Sequence, residues 1–393
     1  MNEKEKVVKT ASKAASSVKK KERELPFYIV KRGDAAKTFG RSLLIRGGAI
    51  LIALLLCGIA TIFVTGDNPL SIYATMFEGA FGNARNIWKT LQDMAILLCV
   101  SLAVTPAFKM RFWNTGAEGQ VLISALATAM CMFYFGGSVP TPVLMLIMIA
   151  GSILAGVVWA VIPAIFKAFW GTNETLFTLM MNYVAIQLVE VFLKVADKSG
   201  SNTVGPSLLK HGWFPELFGQ KYLLNILIVV VLTVLVYIYL KYSKQGYEIS
   251  VVGESENTAR YIGVNVKKVI IRTMIVSGAL CGVAGLLLVA GTSHSIDSDL
   301  VGGRGFTAIM VSWLAKFDPL MMVLTTLLLV FLDRGASEVT TNFGLNAAYS
   351  EILTGVIIFF LIGSEFFINY KVMVNKNHGF FKKKAKKDVK EVL

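Results

Sequence analysis

The sequence predicts an all-α polytopic membrane protein. Three observations carry this expectation. The 393-residue chain is 55% hydrophobic and only 16% charged, whereas a soluble domain carries about 25% charged residues. Its apolar residues gather into about ten runs, two of them short. Its net charge of +14 is concentrated at the ends. Residues 1–46 hold 13 Lys/Arg against 5 Asp/Glu, residues 371–393 hold 8 against 2, and residues 47–370 are net neutral.

The basic ends, residues 1–42 and 371–393, are expected to be cytoplasmic tails flanking a membrane domain over 43–370. The positive-inside rule holds such tails on the cytoplasmic side, and anionic headgroups attract them. Nucleic-acid binding is a weaker reading of the same charge, because apolar spans adjoin both tails. The N-terminal tail, rich in Lys, Ala and Ser, is expected to be disordered or weakly helical. No cleavable signal is evident, since the first apolar run starts late and is long enough to span.

The runs follow in order, each judged against the ~20 residues that cross a bilayer. They are Leu43–Val64, Leu91–Phe108, Val121–Phe135, Val143–Phe166, Leu176–Val195, Tyr222–Leu240 and Val269–Ala290. Two short runs come next, Phe306–Ala315 and Leu320–Leu332, separated at Phe317-Asp318-Pro319. They are expected to form a re-entrant pair or helices packed inside the bundle. Ile352–Ile368 closes the series. With the N-terminus inside, the loops at Lys109/Arg111, Lys167, 241–272 and Lys316 fall inside. The outer loops are then 66–86, 136–142, 196–221, 291–305 and 333–351. The last two are net acidic, as the rule requires. Loop 196–221 is the largest outer segment and a candidate docking surface.

Three stretches interrupt the apolar background. Asn114, Glu118 and Gln120 head the third run, where such groups are costly unless they face protein or water. Asn173 and Glu174 precede the fifth run. Glu174, Thr175, Thr178 and Asn182 share one helix face by i+3 and i+4 spacing. This polar stripe fits interhelical hydrogen bonding or a solute pathway equally well. Gly278, Gly282 and Gly285 form a small-residue face suited to close helix packing.

The longest polar interruption in the second half is 242–272. It carries a compact helix signal. Gly253 frees the backbone, Ser255 can cap, Glu254 and Glu256 complement the positive helix end, and Gly263 is a stop. Two turns are not stable alone. The segment is therefore either an ordinary solvated loop or a helix that a docking partner completes.

Absences narrow the function. The sequence has no GxxxxGK[ST], HExxH or GxSxG. His211, His294 and His378 are scattered outside the spans and read as surface groups. Cys57, Cys99, Cys131 and Cys281 sit in apolar runs without metal-ligand spacing and read as core residues. No catalytic or metal site is expected.

Several ordered motifs carry a resemblance. They are Phe112 to Gln120 (FWNTGAEGQ), Asn173-Glu174-Thr175 with Thr178 to Tyr183, and Gly253-Glu254 with Asn257 to Val264. Ser277 to Leu280, Gly302 to Ile309 and Asp318-Pro319-Leu320 complete the set. Together they resemble the permease subunits of bacterial ATP-binding-cassette importers, in the nucleoside and simple-sugar group (the branched-chain amino acid/ribose-like permease family). The likeness covers about residues 43–370.

The resemblance implies a multi-pass permease in the bacterial cytoplasmic membrane, and no enzyme. A separate ATPase subunit would bind the ATP, so the chain needs no cofactor. A second homologous permease subunit and an extracellular substrate-binding lipoprotein would be partners. The stretch 253–264 within the loop 241–268 would be the coupling helix. Gly253, Glu254, Asn257, Ala259, Arg260, Gly263 and Val264 would touch the ATPase. Asn114, Glu118, Gln120, Asn173, Glu174, Thr178 and Asn182 would line the pathway or hold helices together. The motif around Glu118 is closest to the nucleoside branch. Simple sugars such as ribose or galactosides are the alternative solutes. An ion-coupled secondary transporter using Glu118 and Glu174 is the rival from another class.

Overall fold

The computed structural model describes residues 27–31, 39–66, 68–197 and 202–374. The rest of the two basic tails, and His378, lie outside the described residues. The chain divides into two compact units, residues 1–66 with 355–393, and residues 67–354.

The first unit holds strand β1 (Phe27–Lys31), helix α1 (Phe39–Thr65), most of the last helix (Ala347–Asn369) and a strand (Tyr370–Val374). β1 pairs antiparallel with that final strand, from Phe27 opposite Val374 to Lys31 opposite Tyr370. The described part of the N-terminal tail is therefore a strand, where the sequence suggested a coil or weak helix. Arg46 forms an ion pair with Glu365 on the last helix. One strand precedes α1 and the other follows the last helix.

The second unit begins with α2 (Pro69–Phe81) and α3 (Ala84–Lys109). Then follow α4 (Ala117–Phe135), α5 (Thr141–Trp170), α6 (Glu174–Ala196) and α7 (Leu223–Tyr242). The sequence places 66–86 in a loop, but α2 is a true helix. Asn68 caps it by accepting from the Leu70 N–H at 3.0 Å, and Pro69 opens it. The polar segment after α7 folds as α8 (Lys244–Glu254) and α9 (Glu256–Tyr261). Helix α10 (Val266–Leu288) starts earlier than its apolar run, so Lys267, Lys268 and Arg272 are helical. A π-turn, Val289–Ser293, ends it.

Helices α11 (Arg304–Leu314) and α12 (Pro319–Asn342) come last in this unit, and α13 (Ala347–Asn369) is the helix shared with the first. The structure corrects the expectation for the two short runs. Only the first is short. The second belongs to a 24-residue helix. Asp333, Arg334 and Glu338, assigned from the sequence to an outer loop, lie inside α12. Arg334 is tolerated there because its Nε donates to Asp93 on α3 at 2.6 Å.

Nine helices among the described residues are long and apolar enough to cross a membrane. Residues 294–303 and the short α11 run between two aromatic contacts: His294 stacks on Trp213, ring centroids 4.3 Å apart, and Trp313 meets Trp113, centroids 5.7 Å apart.

The core is the contact of α10 with α5 and α4, made by the predicted small-residue face. A Cβ on Gly278 would stand 2.5 Å from the Gly156 carbonyl oxygen, and one on Gly285 would stand 2.6 Å from the Ala125 nitrogen. The backbones are in direct contact, as small residues permit inside membranes. We expect Gly278→Leu to force α5 and α10 apart and cost about 3 kcal/mol. Thermal unfolding in detergent measures this, and an unchanged midpoint would show that the contact is dispensable.

Candidate functional site

Two regions gather the residues singled out from the sequence. The first is built where α3 ends. Arg111 takes a left-handed conformation (φ 61°), turning the chain back so that residues 112–116 lead into α4. Asn114 and Gln120 are buried and exchange amide hydrogen bonds of 3.1 and 3.2 Å. Cys281 on α10 donates to Gln120 Oε1 at 3.4 Å. Asn182 on α6 accepts from the Gly119 N–H at 2.9 Å and donates to the Thr115 carbonyl at 2.9 Å. The hydroxyls of Thr115 and Thr178 lie 3.0 Å apart. The polar stripe on α6 is thus engaged across the helix contact, with Asn182 using one donor and one acceptor.

Glu118 performs a different task. Its Oε1 accepts from the Gly303 N–H at 2.8 Å and its Oε2 from the Gly305 N–H at 2.6 Å. Helix α11 begins at a half-buried position, and its first N–H groups have no intrahelical partner. The carboxylate satisfies two of them and complements the positive helix end. A Cβ on Gly305 would stand 2.5 Å from the Glu118 nitrogen, so only glycine permits this approach. Asn173 and Glu174 sit apart from this node. Asn173 caps α6 through the Leu176 N–H at 3.1 Å, and Glu174 pairs with Lys167 at 2.8 Å.

The second region is the α8–α9 face. Ser255 caps α9, accepting from the Thr258 N–H at 3.2 Å, and Gly263 ends it at φ +85°. Both boundaries match the sequence reading. Two roles do not. Gly253 is helical, and its purpose is contact: a Cβ there would stand 2.1 Å from the Lys109 carbonyl oxygen. Ala259 is fully buried on the inner side of α9 and does not face outward. Glu254, Asn257, Arg260 and Gly263 are exposed, and Val264 is half-buried. Arg260 pairs with Glu256 one turn earlier at 3.3 Å. The outward apolar groups are Tyr261, 92% exposed, and Ile262, 51% exposed. Beside α8, the rings of Trp113, Trp313 and Phe317 line a cleft of about 760 Å³ that reaches Gly253 and Glu254.

The sequence reading missed two polar clusters inside the bundle. Asp93 sits between Arg334 and Arg304, the latter at 3.8 Å. Gln92, Asn225 and Thr292 meet at the π-turn. The signal was an Asn, a Gln and an Asp inside otherwise apolar spans.

A family model described as the permease component of a branched-chain amino acid transport system matches residues 86–362. The chain belongs to this permease family. It is 29% identical to the glucose ABC transporter permease protein TsgB13 of Haloferax volcanii, over 82% of this chain and 88% of that one. It is 28% identical to the guanosine ABC transporter permease protein NupP of Bacillus subtilis, over 80% and 92%. It is 28% identical to the nucleoside ABC transporter permease protein NupB of Lactococcus lactis, over 80% and 88%. The protein is a multi-pass membrane permease of the ABC transporter class.

Two predictions follow for the permease. Glu118→Ala strands two buried N–H groups, at about 1–3 kcal/mol each. Glu118→Gln keeps one acceptor and should lose less. Thermal unfolding ranks the two, and an Ala variant as stable as the native chain would remove the capping role. The second concerns His294, which lies beyond the end of α10. Burial, reinforced by the charge of Lys221, pushes its pKa below the ordinary histidine value, with the Val289 carbonyl pulling the other way. The unfolded chain therefore takes up this proton more readily than the folded one. Stability is fully present above the ordinary value of about 6.5 and declines as pH falls through it. His294→Gln should flatten the decline in melting temperature between about pH 7.5 and about pH 5.

Proposed function

We propose that this permease imports nucleosides across a bacterial cytoplasmic membrane, driven by a separate ATPase subunit docked on α8 and α9. The observation that carries the docking is α9 itself. Six residues cannot hold a helix alone, yet this one turns Arg260, Tyr261 and Ile262 outward. Large exposed Tyr and Arg groups are what a partner groove uses as anchors. The basic residues around these helices and in both tails favour the cytoplasmic side for them. ATP is bound by the partner, and the permease needs no cofactor of its own.

Motion passes inward by contact. Gly253 abuts the end of α3 at Lys109, and the Trp113–Trp313 contact links that end to α11. A shift of α8 and α9 thus bears on α11, whose first turn Glu118 holds at its other end. The node of Asn114, Gln120, Thr178 and Asn182, and the pairs made by Asn173 and Glu174, keep α4 and α6 as rigid bodies during this motion. A second permease subunit completes the pathway, and an extracellular lipoprotein delivers solute to the outer loops. The guanosine and nucleoside permeases among the relatives favour nucleosides. The glucose permease favours a sugar as the second reading.

The test is ATP-dependent uptake of labelled guanosine, uridine, ribose and glucose by vesicles holding the permease with its co-purifying ATPase. Nucleoside uptake is expected. Sugar uptake alone moves the solute, and uptake by the permease without any ATPase overturns the mechanism. Tyr261→Ala with Arg260→Glu should insert normally yet weaken ATPase association by roughly 30-fold or more, as measured by co-purification.

A further inference from the structure

The turn from α9 into α10 borders a cleft of about 500 Å³, of which the transport reading uses only the Ile262–Val264 rim. Its charged lining is Lys244 from α8, Lys268 and Arg272 from α10, and one carboxylate, Glu248. Glu248 is already committed to Arg272, Oε2 to Nη2 at 2.9 Å. The two lysines are exposed, and neither has an acidic partner within 4.0 Å among the described residues. Arg272 also keeps a buried Nε that makes no hydrogen bond. The cleft therefore carries a surplus of two positive charges.

Its other wall is apolar. Ile262, Val264 and Val269 line it, and Val269 is buried. The surroundings mark the depth of a membrane interface. Tyr242, Tyr247 and Trp170 are exposed at this end of the unit, and Lys267 Nζ lies 4.9 Å over the Phe169 ring. Exposed aromatic rings with lysines beside them characterise the headgroup level. An amphiphile with an anionic head satisfies all of this: the head meets Lys244, Lys268 and Arg272, and the glycerol and upper acyl chain meet Ile262 and Val264. A free phosphate ion would leave the apolar wall unused.

We propose that the cleft between α8 and the start of α10 binds the headgroup of an anionic phospholipid from the cytoplasmic leaflet. This inference rests on the cytoplasmic placement of α8 to α10, and on no property of the ATPase. A lipid held there touches the turn that ends α9, so its occupancy would stiffen the docking helix from behind.

The experiment uses the full chain in phosphatidylcholine nanodiscs, titrated with phosphatidylglycerol and read by native mass spectrometry of the released protein. One phosphatidylglycerol should be retained in preference to phosphatidylcholine. Lys244→Gln with Lys268→Gln should weaken that retention by roughly 30-fold. Lys267→Gln, which removes a charge outside the cleft, should leave it unchanged. Equal retention of both lipids, or an unaffected double variant, overturns the proposal. Displacement of the lipid by millimolar inorganic phosphate would assign the cleft to free phosphate and overturn it too. Intact lipid retention with lost ATPase co-purification in the double variant would assign the lysines to an acidic surface of the partner. Impermeant maleimide labelling of Lys268→Cys from outside intact cells would show that the orientation had failed, independently of the lipid data.

Discussion

Inside a bilayer every backbone polar group must be satisfied by the protein. Much of this structure follows from where the chain breaks that pattern. Helix α11 starts within the bundle, and its leading N–H groups are met by Glu118 from α4. The carboxylate is costly at that position and is retained because the broken helix needs it. The glycines at 303 and 305 are the matching half of the arrangement. Gly305 lets the two backbones approach closely, and Gly303 takes the left-handed turn (φ +73°) that presents its N–H to the same carboxylate. The long helices then pack around this junction through their smallest residues.

The same economy explains the motif residues. Asn114, Gln120, Thr178 and Asn182 are polar, and in a membrane protein polarity invites a pathway reading. Their partners, however, are one another and nearby backbone. These bonds fix how α4 meets α6.

Local chemistry made part of the fold legible in the sequence. Ser255 and Gly263 set the ends of α9 because a cap and a left-handed stop are properties of a few adjacent residues. Gly278, Gly282 and Gly285 announced a packing face for the same reason. The misreadings arose where a distant partner changed a residue's meaning. Arg334 looked like the end of a span until Asp93, far away on α3, neutralised it within α12. Ala259 looked like a contact for a partner, but only the fold reveals which side of a two-turn helix faces inward. Gly253 looked like a flexible joint, whereas the carbonyl of Lys109 occupies the space a side chain would need. The short α2 went unread because a capped 13-residue helix outside the long apolar runs has no signal at membrane length.

The Asp93–Arg334 pair also sets an order of events at the ribosome. The two residues are 241 positions apart in the chain. At synthesis rates of roughly 5–20 residues per second, the carboxylate waits on the order of 10–50 s for that guanidinium. Throughout that interval the half-buried acid on α3 lacks its nearest counter-charge, and Arg304, its second basic neighbour, is made only shortly before Arg334. The ion-pair cluster of this bundle is therefore completed late, when α11 and α12 arrive.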